Sequence, residues 1–331
     1  MTTTVPSRAT DDTRKPPAKR RITAVPGTGD RVFLGLTRTS GLVVLGIFAA
    51  IGVFLTIQAW PAIRTAKFSF LTTQAWEPDI HHFGIAGILP DTIFIALVAV
   101  VIAIPISLGL SLFISEVAPQ HIKRVLVSLV DLMAAVPSVV YGLWGLIVLA
   151  PVFRSTVEPF LSSVLGWTGL FNGPSDGVGL LLAGVILFVM VLPTMVAISR
   201  DVLAVVPVEQ VEGALALGAT KWQVLRKVVV PGARTGILGG FTLAMGRALG
   251  ETVAVALVIG NSPFIAHSVK APAATLASLI VNNFGEATGT ELAALFGAAL
   301  VLLVIGISVN ALARVLVKST VRGGAASVAV A

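Results

Sequence analysis

Arg247 and Glu251 stand in a stretch, residues 236–260, that is otherwise apolar. Residues four apart on a helix share a face, so the spacing predicts a guanidinium and a carboxylate on one side of one helix. A charge at mid-membrane costs at least about 2.5–3.5 kcal/mol on insertion scales, so such residues face a bundle interior or a watery path. Two readings follow: a self-neutralising pair that fixes packing, or a site on an anion path, where arginine offers a planar, always charged fork to oxyanions. Gly246 and Gly250 flank the pair at a spacing that lets a neighbouring helix approach. Asp79, His81 and His82 begin a metal-ligand set, but no further ligand follows at useful spacing, and no metal is expected. The chain has no cysteine, which excludes disulfides, thiolate metal sites and a cysteine nucleophile. None of its lysines follows a glycine, so it lacks the Gly-Lys of a phosphate-cradling loop and is expected to bind no cofactor, ATP included. No catalytic residue is predicted.

The elements that position these residues follow from composition. Of 331 residues, 56% are hydrophobic and 12% charged, against roughly 25% charged in soluble chains. A helix needs about 20 apolar residues to cross a bilayer, because hydrocarbon offers no partner to backbone N–H and C=O groups. The sequence predicts an all-α polytopic membrane protein with about six spans, near 40–60, 92–116, 125–150, 178–199, 236–260 and 292–314. Residues 1–39 read as a disordered basic arm, residues 40–318 as the transmembrane domain and residues 319–331 as a tail. Asp131 is the only charge within the third stretch, near its start, and reads as structural.

Eighteen of the 23 lysines and arginines lie in the arm, in the segments after spans two and four, and in the tail. Arg64, Lys67, Arg154 and Lys270 lie on the other side. This bias predicts cytoplasmic termini. The net charge of +7 is thus an orientation signal rather than a nucleic-acid footprint. Trp60, Trp76, Trp144 and Trp167 fall near the opposite span ends or in their loops, as interfacial tryptophans do. Pro105, Pro137 and Pro193 fall inside spans and predict kinks.

Between spans four and five lies a loop, residues 206–235, too long for a plain connector. Residues 209–217 favour helix, Gly218 stops it, residues 222–229 favour a second short helix, and Pro231 ends that one. An exposed, capped helix of this kind suits a docking surface.

Glu212-Gly213-Ala214, three residues, Gly218, nine residues and Val228-Val229-Val230-Pro231 resemble the EAA loop of ABC importer permeases. Gly213 stands for the middle alanine, and Val228 and Val230 for isoleucine and leucine. Residues 135–145 (AVPSVVYGLWG), Leu192-Pro193-Thr194 with Ser199-Arg200-Asp201, and residues 247–252 (RALGET) with residues 258–261 (VIGN) resemble spans three to five of phosphate importer permeases of the PstC type. The resemblance implies a MetI-like permease fold in a bacterial inner or plasma membrane. It implies a subunit that forms half of a phosphate pathway and takes its energy from a separate ATPase. The partners implied are a PstA-like second permease, a homodimeric PstB-like ATPase and a PstS-like external phosphate-binding protein. Glu212, Gly213, Ala214, Gly218 and Pro231 would couple to the ATPase. Arg247 and Glu251 would line the path, where hydrogen phosphate, unlike sulfate, can donate its proton to a carboxylate. A permease for sulfate or molybdate, a lone secondary transporter or channel, and a membrane scaffold are the alternatives. A lone carrier has no need of the docking loop, and a scaffold none of Arg247.

Overall fold

The structure, a computed structural model, describes residues 27–78 and 82–328, with residues 316–328 as backbone only. Contacts divide the chain into residues 1–50 and 51–331. In the first unit the described part is helical from Thr28, within helix α1 (Thr28–Ala66), and its side chains are exposed. The second unit contains the rest of α1, one four-residue helical turn (Ser69–Thr72), a two-stranded hairpin pairing Trp76 with Phe83, and the longer helices.

These are α2 (Ile88–Val117), α3 (Gln120–Ala135), α4 (Ser138–Thr168), α5 (Leu180–Leu203), α6 (Val208–Ala216), α7 (Lys221–Gly250), α8 (Val253–Val258), α9 (Leu276–Asn283) and α10 (Gly289–Val328). Six of the described helices, α1, α2, α4, α5, α7 and α10, are long and apolar enough to cross a membrane. Alanines 96, 99 and 103 of α2 are buried with Leu182, Ala183, Ile186 and Leu187 of α5 and with Ala244 and Ala248 of α7. Small residues bring helix backbones close, which replaces the hydrophobic drive missing in lipid.

Several boundaries differ from those the sequence suggests. The first helix starts at Thr28, so residues 28–39 are helix rather than disordered arm; residues 1–26 lie outside the described residues. The expected third span, 125–150, is split. Val136 and Pro137 have extended backbone, α3 ends before them, and the membrane-length helix starts at Ser138 and runs to Thr168. Pro137 therefore separates two helices instead of kinking one, and Asp131 lies exposed on α3, outside any span. Pro105 and Pro193 do sit within helices. The second helix of the long loop does not stop at Pro231 but runs on as α7 to Gly250.

Proline explains this continuity. Four π-helical turns, Phe113–Val117, Gly145–Leu149, Phe153–Val157 and Leu225–Val229, each end two residues before a proline: Pro119, Pro151, Pro159 and Pro231. A proline in an α-helix orphans the carbonyl four residues back and presses its ring on it. Widening the preceding turn moves that carbonyl aside. At three of the four sites the helix survives; after Pro119 a new one begins.

At one end of the bundle the chain folds back over helix starts. The first N–H groups of a helix lack partners within it. At α5 the amides of Gly179, Leu180 and Leu181 donate to the carbonyls of Val258 (2.9 Å), Ala271 (3.3 Å) and Val269 (2.7 Å). Thr92 in the first turn of α2 accepts from the Leu276 amide at 3.0 Å. The end of α8 and the segment after it thus seal the start of α5, and Thr92 of α2 in turn caps the first amide of α9. The seat of that segment on α5 requires glycine: Gly179 has φ +152°, and a Cβ there would lie 2.5 Å from the Lys270 carbonyl oxygen.

Gly179→Ala should therefore lower the stability of detergent-solubilised protein by about 1–3 kcal/mol, read as an earlier thermal transition. Gly213→Ala, where an added Cβ meets open space, should shift the transition little or upward, because alanine favours helix by about 1 kcal/mol. Equal transitions for the two variants would show that this seat is not tight.

Candidate functional site

The end of the molecule at residues 204–220 is built from α6 and the start of α7. Gly218 has φ +84°, a conformation that costs an L side chain roughly 1–2 kcal/mol. Its amide donates to the Leu215 carbonyl at 2.9 Å, and the Ala219 amide donates to the Ala214 carbonyl at 3.1 Å. These two bonds close the end of α6 as a Schellman motif. The next helix is capped at once: the Gln223 amide donates to Thr220 Oγ1 (3.3 Å), and the Thr220 amide donates to Gln223 Oε1 (2.8 Å). Two caps with almost nothing between them hold α6 at a fixed angle to α7.

Val211 and Ala214 of α6 pack on a small core of Leu203, Val224, Val229 and Ala233. The other side is open. Glu212, Gly213 and Gly218 are exposed, Leu217 is 90% exposed and Trp222 66%. Ala214, Leu217, Gly218, Gln223, Lys227 and Val228 line a shallow cavity of about 340 Å³. Of the residues assigned to coupling, Glu212, Gly213, Ala214 and Gly218 thus share one small helix and its cap. Pro231 is exposed within α7, just after its π-helical turn and ten residues beyond the helix start, away from α6 and its cap in the sequence.

Arg247 and Glu251 do not share a helix face. Helix α7 ends at Gly250, and Glu251 has extended backbone with ψ 123°. Neither side chain makes an ion pair with the other. Arg247 is exposed in the last turn of α7 and acts electrostatically on Tyr141 of α4. The Tyr141 hydroxyl donates to the Met133 carbonyl at 2.8 Å and so bridges the break at Pro137. Gly246 does meet a neighbour, Asn310 of α10, whereas a Cβ on Gly250 would meet nothing within 4 Å among the described residues. The i,i+4 rule fails here because it presumes an unbroken helix, and the chain turns at Glu251 to start α8.

Two buried charges carried no signal in the sequence. Lys270, 2% exposed, donates from Nζ to the Gly173 carbonyl (2.8 Å), Ser162 Oγ (2.9 Å) and Ser175 Oγ (3.3 Å). Glu158, 1% exposed, accepts from the Gly177 amide at 3.3 Å and feels the Lys270 charge. A lysine has three protons to donate, and all three are used. This pair clamps the chain segments that follow α4 and α8; it is not a ligand site. Of the metal candidates, Asp79 and His81 lie outside the described residues, and His82 sits exposed 3.8 Å from Glu77.

Comparison with known proteins fits this architecture. The family described as "Binding-protein-dependent transport system inner membrane component" matches residues 107–322. The phosphate transport system permease protein PstC of Mesorhizobium japonicum is 40% identical over 89% of this chain and 92% of its own length. That of Haemophilus influenzae is 39% identical over 87% and 93%. Among solved structures, a bacterial alginate ABC transporter with its pentasaccharide-bound periplasmic protein matches with TM-score 0.56, 16% identity and coverage of 86% and 94%. The inward-facing MetNI methionine ABC transporter matches with TM-score 0.51, 17% identity and coverage of 70% and 93%. The fold is that of an ABC importer permease, and six membrane-length helices make this a multi-pass membrane protein. It is a transport subunit and not an enzyme: the chain belongs to the binding-protein-dependent inner membrane component family, in the group of the PstC permeases.

Proposed function

We propose that this chain forms one half of the phosphate path of an ATP-driven importer, with both termini in the cytoplasm and α6 seated on a separate ATPase. The carrying observation is Arg247, a cation exposed near the end of a membrane-length helix with no ion-pair partner among the described residues. A charge so placed must face water, an anion or another subunit, since lipid is too costly. A path between this chain and a second permease supplies all three. Arg247 offers two parallel donors to phosphate oxygens, and Glu251, at the turn beyond it, can accept the proton that hydrogen phosphate carries. Phosphate is the substrate named for the relatives.

Nucleotide-driven closure of the ATPase would push α6. Its two caps and its core pass that push to α5 and α7 as a rigid displacement, which is how packed elements switch between two arrangements. One chain presents one such helix, so a dimeric ATPase leaves a second seat for a PstA-like partner. An external binding protein would deliver phosphate at the opposite end.

Arg247→Gln should cut phosphate uptake by about tenfold to a hundredfold, the worth of one charged hydrogen bond, with membrane-inserted protein unchanged. A variant with both Arg247 and Glu251 made apolar should insert and stay inactive; uptake by that double variant would return the pair to a packing role. Gly218→Pro, which removes the amide of the Schellman cap, and Glu212→Lys on the exposed face should leave the complex assembled while ATP hydrolysis no longer drives uptake. Normal transport by both would refute docking through α6. Native mass measurement should find one copy of this chain beside a different permease; two copies of this chain would overturn the heterodimer.

A further inference from the structure

A second unsatisfied group lies at the end opposite α6, separated from it by the length of α5, about 36 Å at 1.5 Å per residue. Asp91, in the first turn of α2, is 5% exposed. The Ala266 backbone lies against its carboxyl group. Oδ2 has no hydrogen-bond partner among the described residues. Lys270, the cation of the segment that follows α8, has its three donors engaged elsewhere. Asp91 lines a cavity of about 230 Å³ with Phe94, Leu170, Leu180, His267 and Val269, many times the roughly 30 Å³ a water molecule occupies in the liquid.

The chemistry of that lining selects its occupant. The walls are mainly hydrocarbon, and the polar groups are one carboxylate, an exposed imidazole and Ser268. A metal ion would need more ligands, and no group of three or more histidine, aspartate or glutamate side chains is found among the described residues. An anion is repelled by Asp91. Lysine and arginine side chains fit: their stems lie along apolar surface and their heads donate to a carboxylate. Leu170, His267, Ser268 and Val269 come from segments beyond the helix ends, where a docking protein can reach. The family is binding-protein-dependent.

We propose that the cavity around Asp91 is the socket for a lysine or arginine side chain that the external binding protein inserts when it docks. The inference rests on the importer reading above, in which that protein delivers phosphate at this end. The inserted cation pairs with the Asp91 carboxylate from the cavity side, and the charge pair fixes the register of docking. Such pairs act on partner choice and residence more than through contact area.

The test uses the assembled transporter in liposomes, with purified phosphate-loaded binding protein titrated outside. Wild type that shows no binding-protein-dependent uptake contradicts the importer reading itself and removes the basis of the socket. With wild type active, Asp91→Asn keeps an acceptor beside the Ala266 backbone but lacks the charge. It should raise the half-saturating binding-protein concentration at least about tenfold while the maximal rate holds. Leu170→Lys, at a position 56% exposed, supplies a cation from the wall and keeps Asp91. It should raise the same concentration without endangering the fold. A shift of no more than about twofold in Leu170→Lys, or in a folded Asp91→Asn, overturns the socket. So does uptake that follows the phosphatidylethanolamine content of the liposomes at constant half-saturation, which would assign the cavity to a lipid amine.

Discussion

Backbone amides and carbonyls in hydrocarbon have no water to turn to, so each must find its partner inside the protein. Much of the architecture described above follows from that demand. The start of α5 exposes amides that the helix cannot satisfy alone, and the chain from the end of α8 onward supplies their acceptors at Val258, Val269 and Ala271, while Thr92 of α2 accepts the first amide of α9 at Leu276. That segment is irregular, yet it is buried against helix ends and its carbonyls are spoken for. Lys270 secures it from the other side, with its ammonium held by Ser162, Ser175 and the Gly173 carbonyl. The same demand explains the π-helical turns. They let Pro151, Pro159 and Pro231 lie within continuous helices by moving aside the carbonyls those prolines would orphan.

Once the backbone is satisfied, the ionised side chains separate by whether they are satisfied too. Lys270 and Glu158 are buried with their hydrogen bonds made, and they hold the fold. Arg247 is exposed on a membrane-length helix, and Asp91 is buried with one oxygen unpaired. In the reading proposed above, Arg247 takes an anion and Asp91 a cation from outside this chain. A bundle of alanine-rich contacts packs α2, α5 and α7 together, and the capped helix α6 packs on a smaller core of its own. Structure and function divide along this line because an unpaired charge costs free energy in isolation and regains it only on binding.

The sequence alone determined that the chain is a membrane protein of about six spans, because hydropathy reports a transfer free energy summed over neighbouring residues and needs no tertiary contact. It also determined the short helix proposed to couple. Helix α6, its glycine stop and its turn are set by local propensity and capping, and both caps involve residues within five of each other. Tertiary structure decided the rest. The break at Pro137 and the turn at Glu251 moved one span and parted Arg247 from Glu251, since a proline or a run of glycines permits a break that only packing selects. Lys270 counts in the sequence only as a loop cation, and Asp91 carries no signal there. Their burial rests on groups scores of residues away, Ser162, Gly173 and Ala266 among them, and long-range pairing of that kind leaves no period or spacing in the chain.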